Sequence, residues 1–227
     1  PGIANLYVSL LSVFKGEWAN KRELDNKKTS YISSLFEEDV DIANPIKLTQ
    51  NKNKLFQGVI FLGDGFILSD EVSDFLIKEH SKYKNVIFPV LNGKEVNNLP
   101  SQIPQKQIIN FFNWHLEQAS DYPLALEIVK EKVKPIRDKQ NKQNRKKYWW
   151  IYAERCPSLY ENIQKLDNCF VVTTTTKYIN YSFVPTNYIF TNAMFVFATD
   201  KWDHYSVVQS SIQIGRASCR ERVFRTV

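Results

Sequence analysis

The sequence predicts a mixed α+β fold with largely antiparallel strands and several helices. Two observations predict it. Short runs of β-branched and aromatic residues recur between turn-forming pairs such as Gly63-Asp64-Gly65 and Asn92-Gly93, which is how strands joined by tight connections read. The stretch from Pro123 to Ile136 instead spaces Leu126, Val129, Val133 and Ile136 as one face of a helix. No internal repeat appears.

Taken in order, Ile3–Phe14 is apolar and partly β-branched and is predicted to be a buried strand. Lys15–Lys28 is polar and reads as turn or loop. Tyr31–Phe36 is a short amphipathic piece followed by the acidic Glu37–Asp41, and the turn-prone Asn44-Pro45 and Gln50–Lys54 mark the best domain boundary. Val59–Phe61 and Phe66–Leu68 are predicted as two strands of a hairpin around Gly63-Asp64-Gly65. Ser69 is placed to cap a helix in which Val72, Phe75, Leu76 and Glu79 recur at helical spacing. Val86–Leu91 and Ile108–Phe112 follow as strands. The next helix opens at Asp121-Tyr122-Pro123, and Pro135 should kink or break it, because proline lacks the amide donor that continues a helix. Phe170–Thr176, Tyr181–Val184, Tyr188–Phe190 and Met194–Ala198 are strands, and Trp202–Ile212 a closing helix.

Composition narrows the function classes. Of 227 residues, 43% are hydrophobic and 24% charged, which supports a folded core and argues against global disorder. The apolar stretches are too short or interrupted to span a bilayer, and no secretory leader is visible, so a cytoplasmic protein is expected, with no membrane partner. Cys156, Cys169 and Cys219 form neither a metal-spaced pair nor a disulfide framework.

The net charge of +6 is unevenly placed. Residues 130–147 hold nine bases (Lys130, Lys132, Lys134, Arg137, Lys139, Lys142, Arg145, Lys146, Lys147) against Glu131 and Asp138. The last fourteen residues hold four arginines and one glutamate, and without these two segments the chain is net acidic. A basic patch of this kind suits a polyanion partner. The final run, Ile214–Val223, resembles translated read-through of a sequencing adapter, so residues 214–227 are set apart as a non-native tail and the protein is expected to continue beyond Gln213.

Several motifs have a functional and a plainer reading. Gly63-Asp64-Gly65 could cradle a nucleotide or S-adenosylmethionine, but such loops need a helix next, and strand-like Phe66-Ile67-Leu68 follows; a tight turn is the better account. Asp25-Asn26-Lys27 could be half of a Mg²⁺ nuclease site, yet no partner acid sits on a predicted strand. His80, His115 and His204 suggest neither triad nor metal site. In the basic run, Lys134, Arg137, Lys139, Arg145, Lys146 and Lys147 are assigned to phosphates. The adjoining Trp149 and Trp150 are read as packing beneath it rather than stacking on bases. If Thr173–Tyr178 continues a strand, Thr174, Thr176 and Tyr178 share one face and Thr175 and Lys177 the other. Thr174, Thr176, Lys177 and Tyr178 are therefore candidate base readers in a groove.

Phe56-Gln57-Gly58 leading to Gly63–Leu68, then Val86–Asn97, Ile108-Ile109-Asn110-Phe111, Ala119 with Tyr122-Pro123, Val133–Arg137 and Trp149-Trp150 occur in this order. The series resembles the target-recognition domain of MmeI-like (type IIL/IIG) restriction–modification DNA adenine methyltransferases, over residues 51–213. Residues 1–50 resemble the closing part of the preceding methyltransferase domain and a linker. The resemblance implies a parent enzyme that moves a methyl group from S-adenosylmethionine to adenine N6, some relatives also carrying an endonuclease. It implies double-stranded DNA and the methyltransferase domain of the same chain as partners, with the target base flipped into that domain. An Asn-Pro-Pro-Tyr motif and a cofactor loop are both missing here, and Asn110 stands where the family often has Asp. This stretch is therefore expected to recognise DNA without catalysing or holding cofactor or metal. Two rivals remain: a small Mg²⁺-dependent nuclease around Asp25 and Lys27, and a protein-interaction module whose basic run meets an acidic partner.

Overall fold

Two residues with positive φ, Asp25 at 48° and Asn26 at 64°, are what a two-residue hairpin of the tight primed type requires, and Asp and Asn tolerate that conformation well. They join β1 (Arg22–Leu24) to β2 (Lys27–Thr29), paired antiparallel with Leu24 opposite Lys27. The computed structural model describes residues 12–18, 20, 22–33, 36, 38, 48–176 and 178–210. The chain falls into two units, Pro1–Lys47, which holds this hairpin, and Leu48–Val227. Most of the predicted Ile3–Phe14 strand, nearly all of Glu37–Asp41, Asn44-Pro45, Lys177, the end of the closing helix and the 214–227 tail lie outside the described residues. Val13 and Phe14 are described and are not strand.

The second unit begins with β3 (Leu55–Gln57), β4 (Ile67–Leu68), α1 (Asp70–Glu79), β5 (Ile87–Leu91), α2 (Gly93–Asn98) and β6 (Lys106–Ile109). Four helices follow, α3 (Leu116–Ser120), α4 (Pro123–Lys132), α5 (Lys134–Asp138) and α6 (Gln143–Lys147), and then α7 (Pro157–Ile163). The chain closes through β7 (Asn168–Thr173), β8 (Ser182–Pro185), β9 (Ile189–Phe190), β10 (Met194–Phe197) and α8 (Trp202–Gln209). One sheet runs β3-β10-β7-β8 and is antiparallel throughout; the other runs β4-β6-β5-β9, with only β5 and β9 parallel. The fold is thus mixed α+β with antiparallel pairing dominant.

Two apolar clusters form the core, the second of them shared between the sheets through Leu91 and Phe190. Around the β4-β6-β5-β9 sheet, Phe66, Leu76, Tyr83, Ile108, Ile109, Phe111, Val129 and Val133 pack with Trp150, Ile151 and Tyr152. Beneath the other sheet, Leu159 and Ile163 of α7 pack on Cys169, Val171, Val184, Met194 and Val196. On β7, Phe170 faces the other way, stacked 4.5 Å from Phe197 and covered by Tyr205 of α8. This alternation is what lets both sides of one strand bury apolar surface. The chain crosses between sheets at Gly58, whose N–H donates to Met194 O at 3.1 Å while Val59 N–H donates to Phe190 O at 2.8 Å. A Cβ there would lie 2.2 Å from Thr191 O, so only glycine permits the approach.

Several expectations are corrected. Val59–Phe61 and Phe66–Leu68 do not pair as a hairpin. Val59 and Ile60 make isolated bridges to Thr191 and Glu154, and β4 pairs with β6. Asp64–Phe66 is instead a single 3-10 turn, and Gly65 abuts Lys132 and Val133 at the end of α4, where a Cβ would come within 2.5 Å of the Lys132 Cβ. On α1 only Leu76 of the predicted stripe is buried; Ser73 takes the inward place and Val72 and Phe75 are exposed. Asn92 ends β5 as expected, but it also starts α2 through a capping box with Glu95.

Candidate nucleic-acid interface

The basic segment is built on a helix interrupted by proline. Pro123 occupies the first turn of α4, where its missing N–H costs nothing. Ala125, Val129 and Val133 face the core. Pro135 falls in the first turn of α5, and α4 gives way to α5 at Val133, as the sequence predicts. Lys130, Lys132, Lys139, Lys142 and Lys147 are exposed, and Lys134, Arg145 and Lys146 are half-buried.

The aromatic run that follows packs beside this segment and meets two of its cations. Trp150 is buried, its indole N–H donating to Trp114 O at 3.0 Å, and its ring meets Trp149 and Tyr148 edge-on. The hydroxyl of Tyr152 donates to Ile109 O at 2.7 Å. Lys134 Nζ lies 6.0 Å from the Trp149 ring centroid and Lys147 Nζ 5.3 Å from that of Tyr148, within the range where a cation gains from a π face. Where α6 turns toward this run there is a cleft of 440 Å³ lined by Lys142, Gln143, Asn144, Arg145, Ala153 and Glu154.

Arg137 departs from its expected place. It is 1% exposed, its guanidinium donates to Phe61 O at 2.8 Å and to Ile151 O at 3.2 Å, and it lies 5.9 Å from the Phe66 ring. Its Nε has no hydrogen-bond partner among the described residues. Burial, and secondarily the charge on Arg145, pull its pKa down to about 10, so it remains a cation at neutral pH. A side chain so enclosed ties α5 to two core segments and presents nothing to a phosphate. Helical spacing carried the signal that charge hid: Arg137 follows Ala125, Val129 and Val133 at intervals of four on the buried face, and Ile136 of the predicted stripe is the exposed neighbour.

The threonine segment is also rearranged. β7 ends at Thr173, so strand alternation does not govern Thr174–Thr176. Thr173 Oγ1 donates to Asn97 Oδ1, Thr174 Oγ1 donates to Ala193 O at 3.1 Å, and Thr176 Oγ1 donates to Tyr178 O at 2.8 Å. The Thr176 hydroxyl closes a local turn, whereas those of Thr173 and Thr174 tie the end of β7 to segments distant in sequence. Tyr178 is 72% exposed. Lys177 lies outside the described residues.

Other candidates fall away from catalysis. Asp25 forms the hairpin turn described above, and Lys27 pairs with Leu24. His80 and His115 are exposed, and the His204 ring shares a hydrogen bond with Thr199 Oγ1 at 2.9 Å. Among the described residues no group of three or more His, Cys, Asp or Glu could hold a metal ion, and no helix is long and apolar enough to cross a membrane.

The mixed α+β fold is similar to part of a solved enzyme structure. The likeness is to a solved structure of the type IIL restriction–modification enzyme MmeI in complex with DNA, with a TM-score of 0.55 and 16% identity over 81% of this chain. This chain spans 24% of the length of that one. No protein-family model and no curated protein matches the chain.

Proposed function

We propose that this chain is a DNA target-recognition module, residues 51–213, of a larger S-adenosylmethionine-dependent adenine-N6 methyltransferase of restriction–modification type. The cofactor and the methyl transfer belong to the methyltransferase domain of the same protein. The observation that carries the reading is the segregation of cations. Lys139, Lys142 and Lys147, with Lys134, Arg145 and Lys146 half-buried among them, sit on α5, α6 and the loop between them, Lys134 beside the Trp149 ring and Lys147 beside that of Tyr148. Such a surface gains its affinity by releasing counterions from phosphate. The likeness to an enzyme solved in complex with DNA supports the same partner. Arg137 leaves the phosphate-contacting set, and the loop Thr174–Tyr178 keeps a candidate place beside the bases through exposed Tyr178 and through Thr174, Thr176 and Lys177.

The test is fluorescence anisotropy with duplex DNA across a salt series. The triple variant R145A/K146A/K147A should flatten the plot of log affinity against log salt by about 0.9 for each phosphate no longer neutralised. An unchanged slope would remove the basic segment from the interface.

A further inference from the structure

A second cleft, of 260 Å³, opens between the end of β6 and α7, and its wall includes Asn110, Phe112, Asn113, Arg155, Tyr160 and Gln164. Asn110 is 4% exposed, and its Oδ1 accepts from the Phe112 N–H at 2.9 Å. That bond helps hold Phe112 at a φ of 50° and leaves the Asn110 NH₂ at the cleft wall without a partner among the described residues. The Tyr160 hydroxyl accepts from Phe190 N–H at 3.3 Å, which anchors its ring as floor. Arg155 and Asn113 are exposed, with side chains that make no hydrogen bond among the described residues. Gln164 uses one donor on Glu161 O at 3.3 Å. The two clefts are neighbours: Ala153 and Glu154 line the cationic one and Arg155 this one. Glu154 is fixed by its bridge to Ile60.

The cleft therefore combines amides, a guanidinium and ring faces with one carboxylate, Glu161, whereas its neighbour sets Lys142 and Arg145 beside Glu154. Arginine matches the two acceptors on the guanine edge, and asparagine or glutamine matches the donor–acceptor pair of adenine. We propose that this cleft reads base edges of the duplex whose phosphates the adjacent cationic segment holds, with Arg155 facing a guanine and Asn113 or Gln164 an adenine. The proposal rests on the DNA-recognition reading.

The probe is a duplex library with a randomised central window, selected on the full chain and on R155A, R155K and N113A/Q164A, with K146A/K147A as control. All three cleft residues are exposed, so the variants should keep the native circular dichroism spectrum. The parent chain should enrich one word. R155A and R155K should each relax preference at one guanine position by roughly 5- to 150-fold, and N113A/Q164A at an adenine position, with the salt slope unchanged. K146A/K147A should weaken all sequences alike and keep the word. If the cleft variants enrich the same word as the parent, this inference fails and the DNA reading stands. It also fails if R155A weakens every duplex evenly and flattens the salt slope, which is the behaviour of a phosphate ligand. A parent chain that binds duplexes without preference overturns it, and one that binds none overturns both readings.

Discussion

Arg137 gives the sharpest test of structure against charge pattern, because the two assign it opposite roles. In R137A the carbonyls of Phe61 and Ile151, which accept its bonds at 2.8 and 3.2 Å, lose their partner. Each orphaned acceptor costs about 1–3 kcal/mol. Truncation also empties the space beside Phe66, while relief of a desolvated cation returns part of the loss. The net expectation is about 3–5 kcal/mol, comparable to breaking a buried charge pair. For a domain of this size that lowers the melting temperature by about 6–20 °C. R137M keeps the aliphatic stem and should lose about 2–3 kcal/mol, mainly from the two acceptors. Urea unfolding followed by tryptophan fluorescence reports it well, since Trp114, Trp149 and Trp150 all border this core. The duplex-affinity salt slope of R137M should equal that of the parent. Stability within about 0.5 kcal/mol of the parent, the usual effect of a surface change, together with a flatter slope would refute the buried-tether account and restore Arg137 to the phosphates.

Three further outcomes follow from packing and titration. G58A places a Cβ 2.2 Å from Thr191 O, backbone that cannot swing aside; thermal melts should show a loss of at least about 1–3 kcal/mol. N92A removes the capping box at the start of α2 and should cost about 1 kcal/mol by urea titration. Burial pushes the Cys169 thiol up to about 12 from its ordinary 9.0. The folded chain therefore holds that proton more tightly than the unfolded one. The stabilisation is complete below pH 9.0 and is lost as pH rises toward about 12. Mass-resolved alkylation near neutral pH should leave Cys169 untouched until the protein unfolds.

Much of the fold is legible in the sequence because local chemistry and tertiary context agree there. Pro123 starts a helix and Pro135 breaks it; Ile87–Leu91, Ser182–Pro185 and Met194–Phe197 are strands where β-branched and aromatic residues recur. The failures occur where partners distant in sequence decide. The residues around Gly58 look like the arm of a local hairpin, yet they serve a bridge to Thr191, and Gly63-Asp64-Gly65 is glycine-rich for helix packing as well as for turning. Thr174–Thr176 has strand composition, but β7 loses its β10 partner after Met194, which pairs with Thr173. For the site, the sequence locates the cationic segment and its aromatic neighbours, and the inward turn of Arg137 is legible only from its four-residue spacing after Ala125, Val129 and Val133, not from its charge. The second cleft is not legible as a site, since Asn110, Arg155 and Gln164 are far apart in sequence and come together only in the fold.

The central claim is that one cationic face, and not the chain's lysines at large, lies on duplex DNA. Lysine acetylation footprinting with and without duplex, read by mass spectrometry, addresses it directly. Lys139, Lys142, Lys146 and Lys147 should be shielded by DNA, while exposed Lys78, Lys84 and Lys94, on other elements of the same unit, should react as before. Equal shielding of all seven, or shielding that spares the 139–147 group, would contradict the account.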